Sequence, residues 1–170
     1  MKRIIFGLAF LMIIASSVNA QNTSKSDNAF KLDGGVMAGI PFGQFGKEST
    51  FGFGAFAKGA YGVTQNVDVT LHIGFTTFLG KSYGGIKLAN NHLFNTLAGA
   101  SYNLDNGFHI DAGAGFALLT GDPGFQYRVG VGYFLLDHML DITVNYNGMH
   151  AADEGESYIG IGVSYRIFGR

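Results

Sequence analysis

The sequence has no cysteine, no tryptophan and only two prolines in 170 residues, and charged residues make up only 14% of it. The lack of cysteine excludes disulfide frameworks, thiol catalysis, cysteine-ligated zinc and a lipid-anchored cysteine. A net charge of -1 gives no electrostatic basis for binding nucleic acid. Soluble domains contain about 25% charged residues, so the shortage of charge requires a structural explanation. With 27 glycines and 16 phenylalanines, the chain is also unlike a disordered protein.

The first 20 residues have the three regions of a secretory signal peptide. Residues 1–3 include two basic side chains, residues 4–15 are apolar, and residues 16–20 end in small side chains before a cut between Ala20 and Gln21. The apolar run is shorter than the roughly 20 residues that a membrane-spanning helix needs. We therefore predict a cleaved signal peptide over residues 1–20 and one exported domain over residues 21–170, either soluble or a barrel.

The exported domain consists of segments in which apolar residues alternate with polar residues or glycine. The segment 67–78 is the clearest, with Val69 and Leu71 in one phase and Asp68 and Thr70 in the other. A period of two places the two phases on opposite faces of a strand. We predict eight strands, near residues 28–42, 51–63, 67–78, 92–104, 107–118, 124–135, 139–148 and 157–168.

The connections between these strands are mostly long after odd-numbered strands and short after even-numbered ones. This alternation is typical of an up-and-down barrel with tight turns at one end and loops at the other. Tyr61, Tyr102 and Tyr133 each precede a short turn. They predict an aromatic girdle at the end of the barrel with the short turns.

Glycine is concentrated in the polar phase of the strands, and this decides which face lies inside. On a solvated surface such glycines would only weaken the strands, whereas inside a narrow eight-stranded barrel they leave room for larger polar side chains. The other phase holds most of the phenylalanines and tyrosines, which are too bulky to share one small interior. We therefore expect the polar phase to face the lumen and the aromatic phase to face lipid.

The luminal phase contains four basic and four acidic residues, and nearly all of them fall in the half of the barrel near the short turns. Buried charges persist when they are paired and hydrogen-bonded, so we predict a salt-bridged plug across the lower lumen. A charge-lined conduction path is the alternative. The predicted cluster consists of Lys31, Asp33, Lys58, Asp68, Asp111, Arg128, Asp141 and Arg166; which residues pair depends on strand register.

Residues 28–168 resemble the small outer-membrane β-barrel family, of the OmpA transmembrane-domain and OmpX type. The most specific part is the C-terminal segment, where Val163, Tyr165 and Ile167 alternate ahead of Phe168. It is similar to the family's C-terminal assembly signal, whose near-terminal aromatic residue is recognised by the barrel assembly machinery. Phe168 departs from the family pattern because it stands one residue out of phase with the lipid-facing positions.

The resemblance implies an all-β fold, an eight-stranded antiparallel up-and-down transmembrane β-barrel in the bacterial outer membrane. It also implies contact with outer-membrane lipid, periplasmic termini and short turns, and extracellular loops. We expect a monomer with a largely closed lumen that has an envelope-structural or surface-contact role through those loops. The sequence does not identify the extracellular partner.

Residues able to perform chemistry are few. His150, Asp153 and Ser157 fall in one predicted loop, and nucleophilic catalysis uses such a set, but a flexible loop does not hold three groups rigidly. His92 and His150 lie on different loops with no fixed spacing, so no metal site is predicted, and neither a cofactor nor an enzymatic activity is predicted.

Three alternatives stay open at this point. The first is a narrow channel for small solutes, if the upper lumen at Thr76, Gln126, Asn145 and Asn147 connects through. The second is a lipid A-modifying enzyme. The third is a secreted lipocalin-like binder, which would need the apolar face inside.

Overall fold

The computed structural model describes residues 30–151 and 154–169, so the predicted signal peptide and its cleavage site lie outside the described residues. Within the described part, no helix is long and apolar enough to cross a membrane. The elements in chain order are β1 (Phe30–Phe42), the one-turn helix α1 (Phe45–Glu48), β2 (Ser49–Gly62), β3 (Val67–Gly80), β4 (Ser82–Tyr83), β5 (Ile86–Lys87), β6 (Asn91–Asn103), β7 (Phe108–Leu119), β8 (Asp122–Leu135), β9 (Leu140–Ala151) and β10 (Glu154–Phe168).

Eight of the strands close into a single antiparallel barrel in the order β1, β10, β9, β8, β7, β6, β3, β2. Each strand pairs with its neighbour along the chain, and β1 pairs with β10 to complete the ring. Closure leaves no unpaired edge, so every strand backbone finds its hydrogen-bond partners within the sheet. The predicted eight-stranded up-and-down barrel is confirmed; β4 and β5 form a separate small hairpin.

The apolar phase of the strands faces outward and the polar phase faces the lumen. Val69 and Val144 are 53% and 46% exposed, whereas Asp68, the neighbour of Val69 on β3, is only 6% exposed. In the described barrel strands the outward phase carries no Asp, Glu, Lys or Arg. This exterior is suited to lipid. A lipocalin-like binder requires an apolar face inside, whereas these strands turn their polar phase toward the lumen.

Aromatic side chains encircle the exterior at two levels. In β2, β6, β7 and β8 an aromatic residue of the upper level lies eight positions from one of the lower level. This separation is about 26 Å along a strand and about 20 Å along the axis of a barrel with strands tilted by about 40°. Such girdles mark the two membrane interfaces. The lower ring comprises Phe30, Tyr61, Tyr102, Phe108, Tyr133 and Phe168, and the upper ring comprises Phe42, Phe53, Phe75, Phe94, Phe116, Phe125, Tyr127 and Tyr146.

A β-bulge at the end of β10 determines where Phe168 points. Asp33 pairs with Arg166 but the preceding Leu32 pairs with Phe168, so Ile167 is an extra residue in β10. Directly opposed residues share a face of the sheet, and Leu32 is in the outward phase. The bulge therefore brings Phe168 back to the exterior, where its ring lies 6.4 Å from that of Phe30.

The predicted lengths of the upper connections are wrong at two places. Only residues 120–121 separate β7 from β8, and β9 and β10 remain paired as far as Ala151 and Glu154. Asp122, Pro123 and Glu154 have the composition of loops, but they lie in strands that continue past the apolar band. The larger upper connections are those that contain α1 and the β4–β5 hairpin.

Val144 tests which face meets lipid, because it lies in the outward phase of β9 between the two aromatic rings. We expect Val144→Arg to lower the free energy of unfolding by roughly 2 to 4 kcal/mol, the cost of a guanidinium at the middle of a bilayer. Urea titration of the barrel refolded in lipid vesicles measures this. Ile86→Arg, on the exposed β4–β5 hairpin, is the control and should leave the midpoint unchanged; an unchanged midpoint for Val144→Arg would contradict the assignment.

Candidate functional site

The eight luminal charges of the predicted cluster meet as four ion pairs in the lower and middle lumen. Each basic residue has one acidic partner, so the charges cancel pairwise. The pairs are Arg166 Nε with Asp33 Oδ1 at 2.8 Å, Lys58 Nζ with Asp141 Oδ2 at 3.1 Å, Lys31 Nζ with Asp68 Oδ1 at 3.2 Å, and Arg128 Nε with Asp111 Oδ2 at 3.4 Å. We refer to these eight residues as the charge layer.

The pair formed by Lys58 and Asp141 crosses the lumen. Lys58 lies on β2 and Asp141 on β9, with β1 and β10 between them around the barrel wall. The two residues are 7% and 4% exposed. A buried pair in this geometry blocks the interior with its own side chains. Neither residue could be matched to the other from the sequence, because they lie 83 positions apart.

Rings fill the space around the charge layer. His109 Nε2 lies 3.6 Å from Asp141 Oδ2, and its ring stacks on Phe134 with centroids 4.5 Å apart. The Arg166 guanidinium lies 5.9 Å from the same Phe134 ring, a distance at which a cation is attracted to an aromatic face. The lower lumen is therefore closed by aromatic packing as well as by ion pairs.

Above the charge layer lies a hydrogen-bonded group that we call the amide layer. Asn95 Nδ2 donates to Gln126 Oε1 at 3.0 Å, and Gln126 Nε2 donates to Asn147 Oδ1 at 3.2 Å. Asn147 Nδ2 in turn donates to Asn145 Oδ1 at 2.6 Å. Gln126 and Asn147 are 0% and 1% exposed. Of the four positions that would line an open upper lumen, Gln126, Asn147 and Asn145 are thus hydrogen-bonded in a chain. They do not line an open passage.

An apolar cap closes the top of the lumen. Phe45 on α1 points down onto Phe78, with ring centroids 4.7 Å apart, and Phe78 contacts Tyr158 at 5.1 Å. Tyr158 joins the cap to the amide layer by accepting a hydrogen bond from Gln126 Nε2 at 3.2 Å. The cap consists of Phe45, Phe78, Leu93, Ala117, Met149 and Tyr158.

The cap and the amide layer include residues that sequence reasoning missed. The expectation that the aromatic side chains face lipid is wrong for Phe56, Phe78, Phe134 and Tyr158, which are turned inward. The phase of these residues within their strands indicates that they face the lumen. Tyr158, for example, alternates in phase with Gly160 and Ser164 on the luminal side of β10. Asn95 shares its luminal phase with the apolar Leu93, so composition does not mark this phase of β6 as polar.

Glycines opposite the inward rings explain how those rings fit. A Cβ added to Gly35 would lie 2.6 Å from the Phe56 ring, and one added to Gly52 would lie 2.5 Å from the Phe78 ring. Real Cβ atoms do not approach so closely, so a larger residue would displace the ring. Between the charge and amide layers a cavity of about 20 Å³ remains, which is room for about one water molecule.

The residues considered for chemistry are not gathered in the lumen. Ser157 and His150 lie in the outward phase of β10 and β9, and Asp153 lies outside the described residues. His92 is on β6, where its Nδ1 lies 3.1 Å from Thr77 Oγ1. The described residues contain no group of three or more His, Asp or Glu side chains able to hold a metal ion.

Comparison with known proteins finds matches among solved structures. No family model and no curated protein matches the sequence. The outer-membrane protein Ail of Yersinia pestis, in a nanodisc, superposes with a TM-score of 0.60 at 14% identity over 81% of this chain and 99% of Ail. The chain has the fold of a small outer-membrane β-barrel.

Two further barrels agree with that assignment of the fold. The N-terminal β-barrel domain of Pseudomonas aeruginosa OprF has a TM-score of 0.53 at 14% identity, covering 82% of this chain and 98% of the domain. Neisserial surface protein A has a TM-score of 0.52 at 16% identity, covering 81% of this chain and 97% of that protein. This chain therefore matches both barrels over nearly their whole length.

Lys58 tests the charge layer, because removing it leaves Asp141 buried without its cation. We expect Lys58→Met to lower the free energy of unfolding by about 3 to 5 kcal/mol. Adding Asp141→Leu should recover part of that loss, since both charges are then absent. Urea titration in vesicles measures both variants, with the exposed Lys87→Met as a control that should not move the midpoint. A neutral Lys58→Met would indicate that the lumen is hydrated.

Proposed function

We propose that this protein is a monomeric barrel of the bacterial outer membrane that does not conduct solutes. It has an envelope-structural or surface-contact role, which it performs through the upper end of the barrel. The observation on which this rests is the filling of the lumen by the charge layer, the amide layer and the apolar cap, between which only a cavity of about 20 Å³ remains. An eight-stranded interior is just wide enough to be filled by its own side chains, and a channel would need those layers to separate.

The upper end offers an ordered surface for contact. The Tyr83 hydroxyl donates to the Lys47 carbonyl at 2.7 Å, so the β4–β5 hairpin is held against α1. Lys81 N donates to the Glu48 carbonyl at 2.8 Å, and the Lys81 ammonium also donates to the Gly46 carbonyl. The hairpin nevertheless presents Tyr83 and Ile86, 56% and 74% exposed. A hairpin that is tied down by hydrogen bonds and carries exposed apolar side chains is suited to binding a partner.

The structural relatives are consistent with this role at the level of the fold. Ail is described as the attachment invasion locus protein of Yersinia pestis, and Neisserial surface protein A is named for its location. With 14 to 16% identity, their activities are not transferred to this chain. We assign no catalytic role.

The C-terminal strand fits the proposed route to the membrane. Val163, Tyr165 and Ile167 alternate on the exterior, and the bulge adds Phe168 to the same face. We propose that this apolar face of β10 is the segment recognised by the barrel assembly machinery after export and removal of residues 1–20. Tyr61, Tyr102 and Tyr133, in the lower ring, are proposed to lie at the periplasmic interface.

Conductance tests the closed lumen directly. Residues 21–170 refolded into a planar bilayer should give no channel openings, because the three layers leave no continuous aqueous path. Folding is checked by heat-modifiable migration on a gel, and gramicidin added to the same bilayer shows that openings are detectable. Steady, reproducible openings from the folded barrel would replace this proposal with the channel.

The absence of cysteine allows a clean test of orientation. Ile86→Cys, on the β4–β5 hairpin, should react with a membrane-impermeant maleimide on intact cells, because we place the hairpin outside the cell. Asp137→Cys, in the exposed turn between β8 and β9, should react only after the outer membrane is permeabilised. The opposite pattern would place the hairpin in the periplasm and overturn the surface-contact role.

A further inference from the structure

The exterior of β8, β9, β10 and β1 differs from the rest of the upper aromatic ring because hydroxyl groups lie beside one another there. Strand register places Phe42, Ser157, Gly148 and Tyr127 directly opposite one another on successive strands, at one level of the barrel. All four positions are in the outward phase. We call Phe42, Tyr127, Tyr146, His150 and Ser157 the hydroxyl patch.

The contacts within the hydroxyl patch hold its polar groups together. The Tyr146 hydroxyl lies 3.1 Å from Ser157 Oγ. The Tyr146 ring contacts Phe42 on one side at 5.8 Å and Tyr127 on the other at 6.0 Å between centroids. The Tyr127 ring covers Gly148, where an added Cβ would meet its ring and hydroxyl. Gly148 thereby leaves room for the Tyr127 ring against the barrel wall.

Position determines what can reach the patch. It lies in the upper aromatic ring, at the level of lipid headgroups. Above the patch, β7 and β8 are joined by residues 120–121 alone, β9 and β10 stay paired as far as Ala151 and Glu154, and α1 follows Phe42 on β1. Tyr127 and Tyr146 are 43% and 38% exposed. An adjoining lipid headgroup therefore has direct access.

The chemistry of the patch is neutral and suited to a sugar. The described outward positions of these strands carry no Lys or Arg, so nothing there would pair with a phosphate. A pyranose has apolar C–H faces, which pack on aromatic rings, and hydroxyls, which exchange hydrogen bonds with tyrosine, serine and imidazole groups. The exposed His150 imidazole lies in the same outward phase, two residues beyond Gly148 on β9.

We propose that the hydroxyl patch binds the sugar headgroup of a glycolipid in the adjoining leaflet. This rests on the proposed location of the barrel in a membrane but not on its lack of conductance. The headgroup packs on Tyr127 and Phe42 and hydrogen-bonds to Tyr146, Ser157 and His150. The lower ring has tyrosines at the same kind of interface, but the described Tyr61 and Tyr102 make no side-chain contact of this kind with another hydroxyl.

Native mass spectrometry of the barrel released from nanodiscs tests this binding. The nanodiscs contain phosphatidylcholine with a minor fraction of monoglucosyl-diacylglycerol of the same acyl chains. Wild type should retain the glucosyl lipid in preference to phosphatidylcholine. The double variant Tyr127→Phe/Tyr146→Phe, which removes two hydroxyls and keeps both rings, should lower that preference about tenfold.

The matched control is Tyr61→Phe/Tyr102→Phe, which removes two hydroxyls from the lower ring and should retain the glucosyl lipid as wild type does. Equal retention by all three proteins, or equal loss in both double variants, would overturn the patch as a sugar site. Preferential retention of phosphatidylglycerol in a parallel nanodisc would assign it to phosphate instead. Heat-modifiable migration shows separately that each protein is folded, so a folded barrel without lipid preference contradicts only this proposal and not the closed barrel.

Discussion

The narrowness of an eight-stranded barrel is the constraint on which the rest of this structure depends. Every inward side chain must share one small interior with those of the other strands. The cavity of about 20 Å³ that remains leaves little water to solvate a charge there. Ionised groups in that interior must be paired. Pairing Lys58 with Asp141 across the lumen meets both demands, because the same contact neutralises two charges and fills the space between opposite walls.

The same constraint links the glycines to the inward rings. The rings of Phe56, Phe78 and Tyr158 fit because the facing glycines present no side chain toward them. These glycines are Gly35, Gly39 and Gly52. The same relation holds outside the barrel, where Gly148 provides the space in which the Tyr127 ring lies. Glycine thus weakens strand propensity at positions where it allows a large side chain to pack. Closure of the ring, which removes every edge, offsets that cost.

Much of the fold followed from alternation alone, since Asp68 and Val69 cannot share a face of a strand. The two short upper connections were not recognised, because the acidic run around Glu154 has the composition of a loop although the paired backbone continues beyond the apolar band. Tyr158 was assigned to lipid by its residue type, although its phase placed it inside. The site was harder to predict than the fold, because a residue's phase shows which face it occupies but not which side chain it meets.

The sequence by itself determined the number of barrel strands, the separation of the two faces, the eight members of the charge layer and the exterior aromatic residues near the short turns. Periodicity and composition are local properties, and they are complete in the linear chain. Only the tertiary structure decided that Lys58 meets Asp141 and that Tyr146 meets Ser157. It also showed that Phe45 closes the top of the lumen and that the bulge at Ile167 turns Phe168 outward. These contacts depend on register and on closure of the ring, which bring together residues that are distant in the sequence.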